Sequence, residues 1–222
     1  MVPAAGLHFI LFFGSVRDPR NADRVAPYVI KAFEDRNVTV TVFDAKEMHF
    51  DSVIKPIQYY GRNETKPAEL MKFNTEIKKA DGFIVMTAEY HGQIAPGLLN
   101  LMNQFPPNSY VFRPSAIVAY SKGRFGGIRA AMQLRTYLAD IGTLQMPAIL
   151  SIPFVEQAFT VDAKTENADV NKSMNLLADQ LIWYAEAIKL QREESGYRCE
   201  DCYDDNNLAS KGLPYKNKKW SK

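Results

Sequence analysis

The sequence predicts an α/β domain with a five-stranded parallel sheet and helices on both faces. Three observations predict it. Along the 222 residues, short apolar runs alternate with longer segments of helical period, which is the pattern of strands joined by crossover helices. The short runs are nearly continuous in apolar residues rather than alternating, as happens when helices cover both faces of a sheet. The apolar share of 46% and charged share of 23% suit one sizeable core under an ordinary solvated surface. A chain of this length holds one domain plus a tail more readily than two domains.

The strands are predicted at Leu7–Phe13, Val38–Asp44, Gly82–Thr87, Ser115–Tyr120 and Leu144–Ile152. Pro147 lies in the last of these and cannot donate to a ladder, so that strand is expected at a sheet edge. The helices are predicted at Asn21–Asp35, Ala68–Lys79, Pro96–Gln104, Gly126–Ile141 and Lys172–Gln191. In the fifth, Met174, Leu177, Leu181, Tyr184 and Ile188 recur at three- and four-residue spacing and form one apolar face for core packing. Pro27 is expected to kink or delay the first helix. Met48–Pro67 is a long aromatic-rich connection with no period, of a length more often functional than idle, and reads as a lid or a partner contact. Beyond about Glu193 the chain turns polar, giving a domain over 1–192 and a polar tail over 193–222.

Charge and composition narrow the function. A net charge of +2 gives too weak a field for nucleic acid or a membrane surface, which leaves small molecules as expected partners. The opening apolar run has neither a basic segment before it nor a cleavage site after it, so it reads as a buried strand and not as a leader. No apolar stretch approaches the ~20 residues a membrane helix needs. Two cysteines occur, Cys199 and Cys202, and a reducing cytoplasm is the expected location. Their spacing suits a metal or redox pair, but with no second pair or nearby histidine they read as ordinary thiols, and no metal is expected. Three Asn-x-Ser/Thr matches, at Asn37, Asn63 and Asn171, are chance without a secretory signal. The basic cluster Lys216–Lys219 reads as a solvated end.

In an open parallel sheet, ligands bind beyond the carboxyl ends of the strands, so the loops after strands one, three and four carry the chemistry. The first, Gly14 to Asn21, joins Ser15, Arg17 and Arg20 to a helix start at Asn21. Unpaired N–H groups, partial positive charge and planar guanidinium forks make a phosphate cradle. A solvated turn capped by Asn21, with its arginines in water, is an equal alternative for that loop alone. The second, Ala88 to Asn100, brings Glu89, Tyr90, His91 and Gly92 ahead of a proline-started helix. Such a loop lays main-chain amides along the edge of a flat ring while Tyr90 packs nearby. The third, Ser121 to Arg129, contains Gly123, Gly126 and Gly127, where the backbone can approach a ligand closely and offer N–H groups to negative charge building on a ring.

Together the three loops resemble the NADPH-dependent FMN reductase family, whose quinone, azo-dye and chromate reductases share a flavodoxin-like three-layer fold. Its Gly-Ser-x-Arg matches Gly14 to Arg17, its Pro-Glu-Tyr-Asn-Gly matches Ala88 to Gly92, and its Ser-x-Gly-x-x-Gly-Gly-x-Arg-Ala matches Ser121 to Ala130, with Gln133 to Arg135 following. The resemblance covers roughly residues 7 to 190. It implies that Ser15 and Arg17, with Arg20 and Asn21 beside them, hold an FMN phosphate. It implies that Glu89, Tyr90, His91 and Gly92 contact the flavin ring, and that Ser121, Gly123 and Gly126 close its other side. The flavin then does the redox chemistry and no catalytic side chain is required, although Tyr90 and His91 shape an acceptor pocket. The implied activity is reduction of quinones or similar acceptors, such as free flavin or azo compounds, by NADPH or NADH in ping-pong order. A homo-oligomer, dimer or tetramer, is implied as well. The chain departs from the pattern at Ala88 for proline and His91 for asparagine. Arg20 stands where many members carry a hydroxyl, Leu99 and Asn103 stand at a frequent Lys and Asp, and Pro96 comes one place late. Two other readings stay open on sequence alone: a flavin-binding electron carrier or redox sensor with little turnover, and a scaffold that has lost its cofactor.

Overall fold

The computed structural model describes residues 6–61 and 63–195. Cys199, Cys202 and the Lys216–Lys219 cluster lie outside the described residues. Six strands, β1 (His8–Phe13), β2 (Thr39–Asp44), β3 (Gly82–Tyr90), β4 (Gln93–Ile94), β5 (Pro114–Tyr120) and β6 (Leu144–Ile152), alternate with six helices. The helices are α1 (Ala22–Glu34), α2 (Ala68–Lys79), α3 (Pro96–Met102), α4 (Ile128–Asp140), α5 (Val155–Ala158) and α6 (Ala168–Ser195). Five strands run parallel in the order β2-β1-β3-β5-β6. The sixth, β4, is a two-residue strand that folds back antiparallel on the end of β3. The architecture is the expected three-layer one with this hairpin added.

The layers follow from the strands' two-residue side-chain period. In β1, Phe9, Leu11 and Phe13 face one core with α1 and α6, whereas Ile10 and Phe12 face the other with α2, α3 and α4. Both faces of the central strands β1, β3 and β5 are covered, which is why those sequences carry no polar alternation. The edge strand β2 differs from the expected continuous apolar run, alternating Thr39, Val40, Thr41 and Val42 with its first four residues exposed or half-buried. The two aromatic cores pack edge to face, Phe9 on Phe33 in the first and Phe12 on Phe43 in the second.

Strand β6 is the sheet edge, as Pro147 implies. Its pairing with β5 slips between Ser115 and Ile117, so Pro147 sits in a bulge. The groups freed there find side chains: Arg135 donates to the Met146 and Pro147 carbonyls, and the Ala148 N–H donates to Gln180. Helix α1 continues through Pro27, which is exposed, and starts at Ala22. The long connection after β2 is fastened to α3: Asn100 accepts from the Val53 N–H and donates to the Phe50 and Asp51 carbonyls. No helix among the described residues is long and apolar enough to cross a membrane.

The chain leaves β1 toward β2 on one side and returns to β3 on the other, so the connections diverge between β1 and β3. That divergence opens a crevice at the carboxyl ends of the strands. The loops following Phe13, Tyr90 and Tyr120 all emerge at this edge.

Candidate flavin site at the carboxyl edge of the sheet

The first loop leaves β1 through Gly14, packed so closely against α3 that a Cβ there would meet the Leu98 backbone nitrogen at 2.0 Å. Only glycine permits this approach, and it seats the loop over the start of α3. Ser15 is buried, and its hydroxyl lies 3.0 Å from the Tyr90 phenol. Burial pushes the Tyr120 phenol above its ordinary value, opposed by a hydrogen bond with the same Ser15 hydroxyl. Arg17 is exposed and lays its guanidinium over the Tyr90 ring, 3.8 Å from the centroid. It makes no ion pair among the described residues. The N–H groups of Val16, Arg17 and Asp18 meet no protein acceptor among the described residues.

Arg20 is placed differently. Its side chain is 7% exposed and grips Asp44, 8% exposed, through two bonds of 2.6 Å. It also donates to Asp23 at 2.8 Å and to the Ser15 carbonyl at 3.0 Å. Burial alone would lower the Arg20 pKa, but the bonds to Asp44 and Asp23 carry it above its ordinary value. Asn21 makes no side-chain cap and instead reaches Glu156 at 3.3 Å. Glu156 also binds Lys122 at 2.7 Å, and these two contacts, that to Lys122 first, hold its carboxyl below the usual range. The first and third site loops are thus joined across the rim.

The second loop is a hairpin. Tyr90 pairs with Gln93, leaving His91 and Gly92 as a two-residue turn with φ of 53° and 77°. Two positive φ values define the type I′ turn, for which Asn-Gly is the favoured pair. Histidine is also enriched in this conformation, so His91 takes the positive φ that asparagine would favour here. Ala88 continues β3 opposite Tyr120 and retains an N–H that proline lacks. The Glu89 carboxylate is 4% exposed and accepts from the Arg129 guanidinium and backbone N–H. Gln133 donates to the Gly92 carbonyl at 2.8 Å. The hairpin is thereby bolted to α4. Leu99 packs into the core and Asn103 accepts from Tyr137, so both positions serve the fold within this chain.

The third loop is fixed by its own backbone to the end of β6. Ser121 and Ile152 are joined by an N–H bond, and the Gly126 carbonyl accepts from Ile152 and Ser151. Gly126 has φ of 61°, and a Cβ there would meet Ser151 Oγ at 2.4 Å and the Pro153 nitrogen at 2.9 Å. Gly123 contrasts with it, having nothing within 4 Å of such a Cβ. Ser121 donates to the Gly123 carbonyl. The N–H groups of Lys122, Gly123, Arg124 and Phe125 meet no protein acceptor among the described residues. Arg124 and Arg129 both stack on the exposed Phe125 ring.

Ser15, Arg17, Tyr90 and, through Glu89 and α4, the glycine loop are therefore neighbours at one rim. Arg20 and Glu89 are committed to protein partners beneath it. Among the described residues no group of three or more His, Cys, Asp or Glu is placed to hold a metal.

A family model for NADPH-dependent FMN reductases matches residues 7–157, which contain all three loops. The chain belongs to the NADPH-dependent FMN reductase family. An NAD(P)H-dependent FMN reductase of Pseudomonas aeruginosa is 32% identical over 120 residues, which are 52% of this chain and 63% of that protein. An NADPH azoreductase of a Bacillus strain is 27% identical over 100 residues, 44% of this chain and 56% of that one. The matched stretches thus span less than two thirds of these two relatives. Among solved structures, the flavoenzyme NAD(P)H:(acceptor) oxidoreductase FerB of Paracoccus denitrificans superposes with a TM-score of 0.64 at 18% identity, covering 82% of this chain and 98% of that one. An NADH:FMN oxidoreductase in its apo form gives 0.61 at 16%, covering 80% and 89%. At such identities the likeness is one of fold. This FMN reductase family member has the flavodoxin-like sheet, with the buried Arg20–Asp44 pair at its carboxyl edge.

Proposed function

We propose that this protein is an FMN-dependent NAD(P)H oxidoreductase that reduces quinones or similar small acceptors, taking donor and acceptor in turn at one face. One observation carries the reading: Ser15 and Arg17 from the first loop touch Tyr90 from the hairpin, at 3.0 Å and 3.8 Å. A phosphate-type donor set and an aromatic ring-binding turn thus adjoin at the crevice where this fold class binds ligands.

The donor set fits FMN. Three consecutive N–H groups, Val16 to Asp18, with the Arg17 guanidinium beside them, match a phosphate that needs several donors and a cation. Four more, Lys122 to Phe125, with an open side at Gly123, match the polar edge of a flat heterocycle. When bound, FMN supplies a centre that accepts hydride from NAD(P)H and passes it to the acceptor. The chain's own work is to hold and shape. Ser15 and Arg17 bind the phosphate, Tyr90 and the His91-Gly92 turn set one wall, and the third loop's amides stabilise negative charge at the ring edge because they are preorganised and need no reorientation. Glu89, Arg129 and Gln133 keep the hairpin from drifting away from that loop.

The test is an anaerobic titration of the purified full chain with NADPH, followed by a quinone, with flavin absorbance recorded. Bleaching by NADPH and recovery with quinone is the expected result. Protein that is colourless and ignores added FMN refutes the cofactor, and bleaching only through a partner protein refutes the enzymatic reading in favour of a carrier.

A further inference from the structure

Arg20 looks in sequence like a second phosphate ligand, and its contacts argue otherwise. Four of its five N–H groups go to Asp23, to the Ser15 carbonyl and to both oxygens of Asp44, so no fork remains to meet a bidentate oxyanion. Asp44 is itself held: it ends β2, and its Oδ1 also accepts from the Lys46 N–H at 2.9 Å. The guanidinium further packs 5.0 Å from the Phe13 ring centroid. Arg20 therefore ties three chain segments together, namely the end of β1, the end of β2 and the first turn of α1.

The bond to the Ser15 carbonyl matters most for function. In a trans peptide the C=O and the following N–H point in opposite directions, and the described cis bond is Asp18–Pro19, not Ser15–Val16. A Ser15 carbonyl drawn inward to Arg20 therefore turns the Val16 N–H outward, toward the open side of the loop. Resting on the cofactor assignment above, we infer that Arg20 is a positioning residue, which through its pair with Asp44 aims the first-loop amides at the flavin phosphate instead of binding that phosphate itself.

The two roles predict opposite signs for one substitution. If Arg20 bound phosphate, Asp44→Asn would release it and FMN would bind as tightly or more tightly. If Arg20 is a brace, Asp44→Asn lets the loop relax and FMN affinity falls at least about tenfold, a loss of about 1.4 kcal/mol. Flavin titrations of the purified full chain, read by fluorescence quenching, measure this with FMN and with riboflavin, which lacks the phosphate. The expected result is a tenfold or greater loss for FMN with riboflavin changed by less than twofold. Unchanged or tighter FMN binding overturns the inference, and equal loss of FMN and riboflavin overturns it as general damage to the fold. Should Asp44→Asn not fold, Arg20→Lys serves: an ammonium keeps the charge but cannot grip Asp44 with a planar fork while reaching Ser15, so the same selective loss is expected and retained FMN affinity overturns it. Wild-type protein that binds neither flavin overturns the cofactor assignment and this inference together, whereas wild-type binding with unaffected variants overturns this inference alone.

Discussion

Alanine at Gly123 and at Gly126, three residues apart in one loop, should have opposite consequences, because the structure gives the two glycines different reasons to lack a side chain. At Gly126 the φ of 61° lies in the left-handed region, and a Cβ would sit 2.4 Å from Ser151 Oγ and 2.9 Å from the Pro153 nitrogen. The left-handed conformation costs a side chain about 1–2 kcal/mol, and forcing backbone apart costs about 1–3 kcal/mol more. The expected loss is about 2–5 kcal/mol, a fall in Tm of about 4–20 °C for a chain of this size. At Gly123 no atom lies within 4 Å of the added Cβ and φ is not left-handed. Alanine there restricts the unfolded chain and stabilises by about 0.4–1 kcal/mol. That methyl nevertheless enters the space where the proposed ring edge meets the loop amides, so FMN affinity should drop at least about tenfold, or about 1.4 kcal/mol. Thermal melts and FMN titrations on both variants measure the contrast. A Gly123→Ala protein that holds FMN like wild type refutes the docking of the ring against this loop. One that melts as early as Gly126→Ala refutes the claim that protein packing leaves Gly123 free.

Three further outcomes follow from the same geometry. Arg17→Ala should weaken FMN retention by roughly 10- to 100-fold, the value of a charge-assisted bond of about 1.5–3 kcal/mol, while Tm moves by no more than about 2 °C, since Arg17 is exposed and makes no ion pair among the described residues; retention of flavin through extensive dialysis contradicts the phosphate role. Burial pushes the phenols of Tyr110 and Tyr120 above their ordinary value, so the fold holds them neutral where the unfolded chain ionises. Stability should therefore be level up to the unfolded tyrosine pKa of about 10 and fall above it, with a shallower fall in Tyr110→Phe, as melts between pH 8 and pH 11 will show; a level profile across that range contradicts it. Arg124 is exposed and stacks on Phe125 with no ion pair among the described residues, which leaves its guanidinium available to the 2′-phosphate that NADPH carries and NADH lacks. Arg124→Gln should therefore raise the KM for NADPH about tenfold, by loss of a charge-assisted contact, and leave that for NADH within twofold; equal changes for both donors refute that role.

The centre of the sheet was legible in sequence because β1, β3 and β5 are buried on both faces, so local composition alone marks them. The fifth strand's edge position was legible for the same local reason, through Pro147. The β3–β4 hairpin was not, because a strand of two residues has no period and the turn uses His91 where Asn-Gly would have signalled it. The loops could be located, since strand ends and glycines are local features, but the partners of their charged residues could not. Arg20 and Asp44 are 24 residues apart, and Glu89 and Arg129 are 40. No spacing rule links such pairs, since only the parallel register of β1 with β2, and the packing of α4 against β3, brings them together.

That limit explains how the rim's cations should be sorted. The first and third loops carry Arg17, Arg20, Arg124 and Arg129, of which sequence reasoning places Arg17 and Arg20 together at the phosphate and does not rank the others. Burial and partners divide them. Arg20 faces two carboxylates from beneath the loop, and Arg129 faces Glu89, which is itself almost fully buried. Removing either arginine leaves a carboxylate short of its partner, so losses there mix folding with binding. Arg20 and Arg129 also lie over rings, Phe13 and Phe125, but Arg17 and Arg124 rest on Tyr90 and Phe125 with no carboxylate partner among the described residues. A cation on a ring surrenders little to reach a phosphate, because an exposed stacking contact is worth only about 0.5–1 kcal/mol. The arginines that hold the site together and those free to receive a ligand are thus separated by what they touch in its absence, and the mutational effects above should divide along the same line.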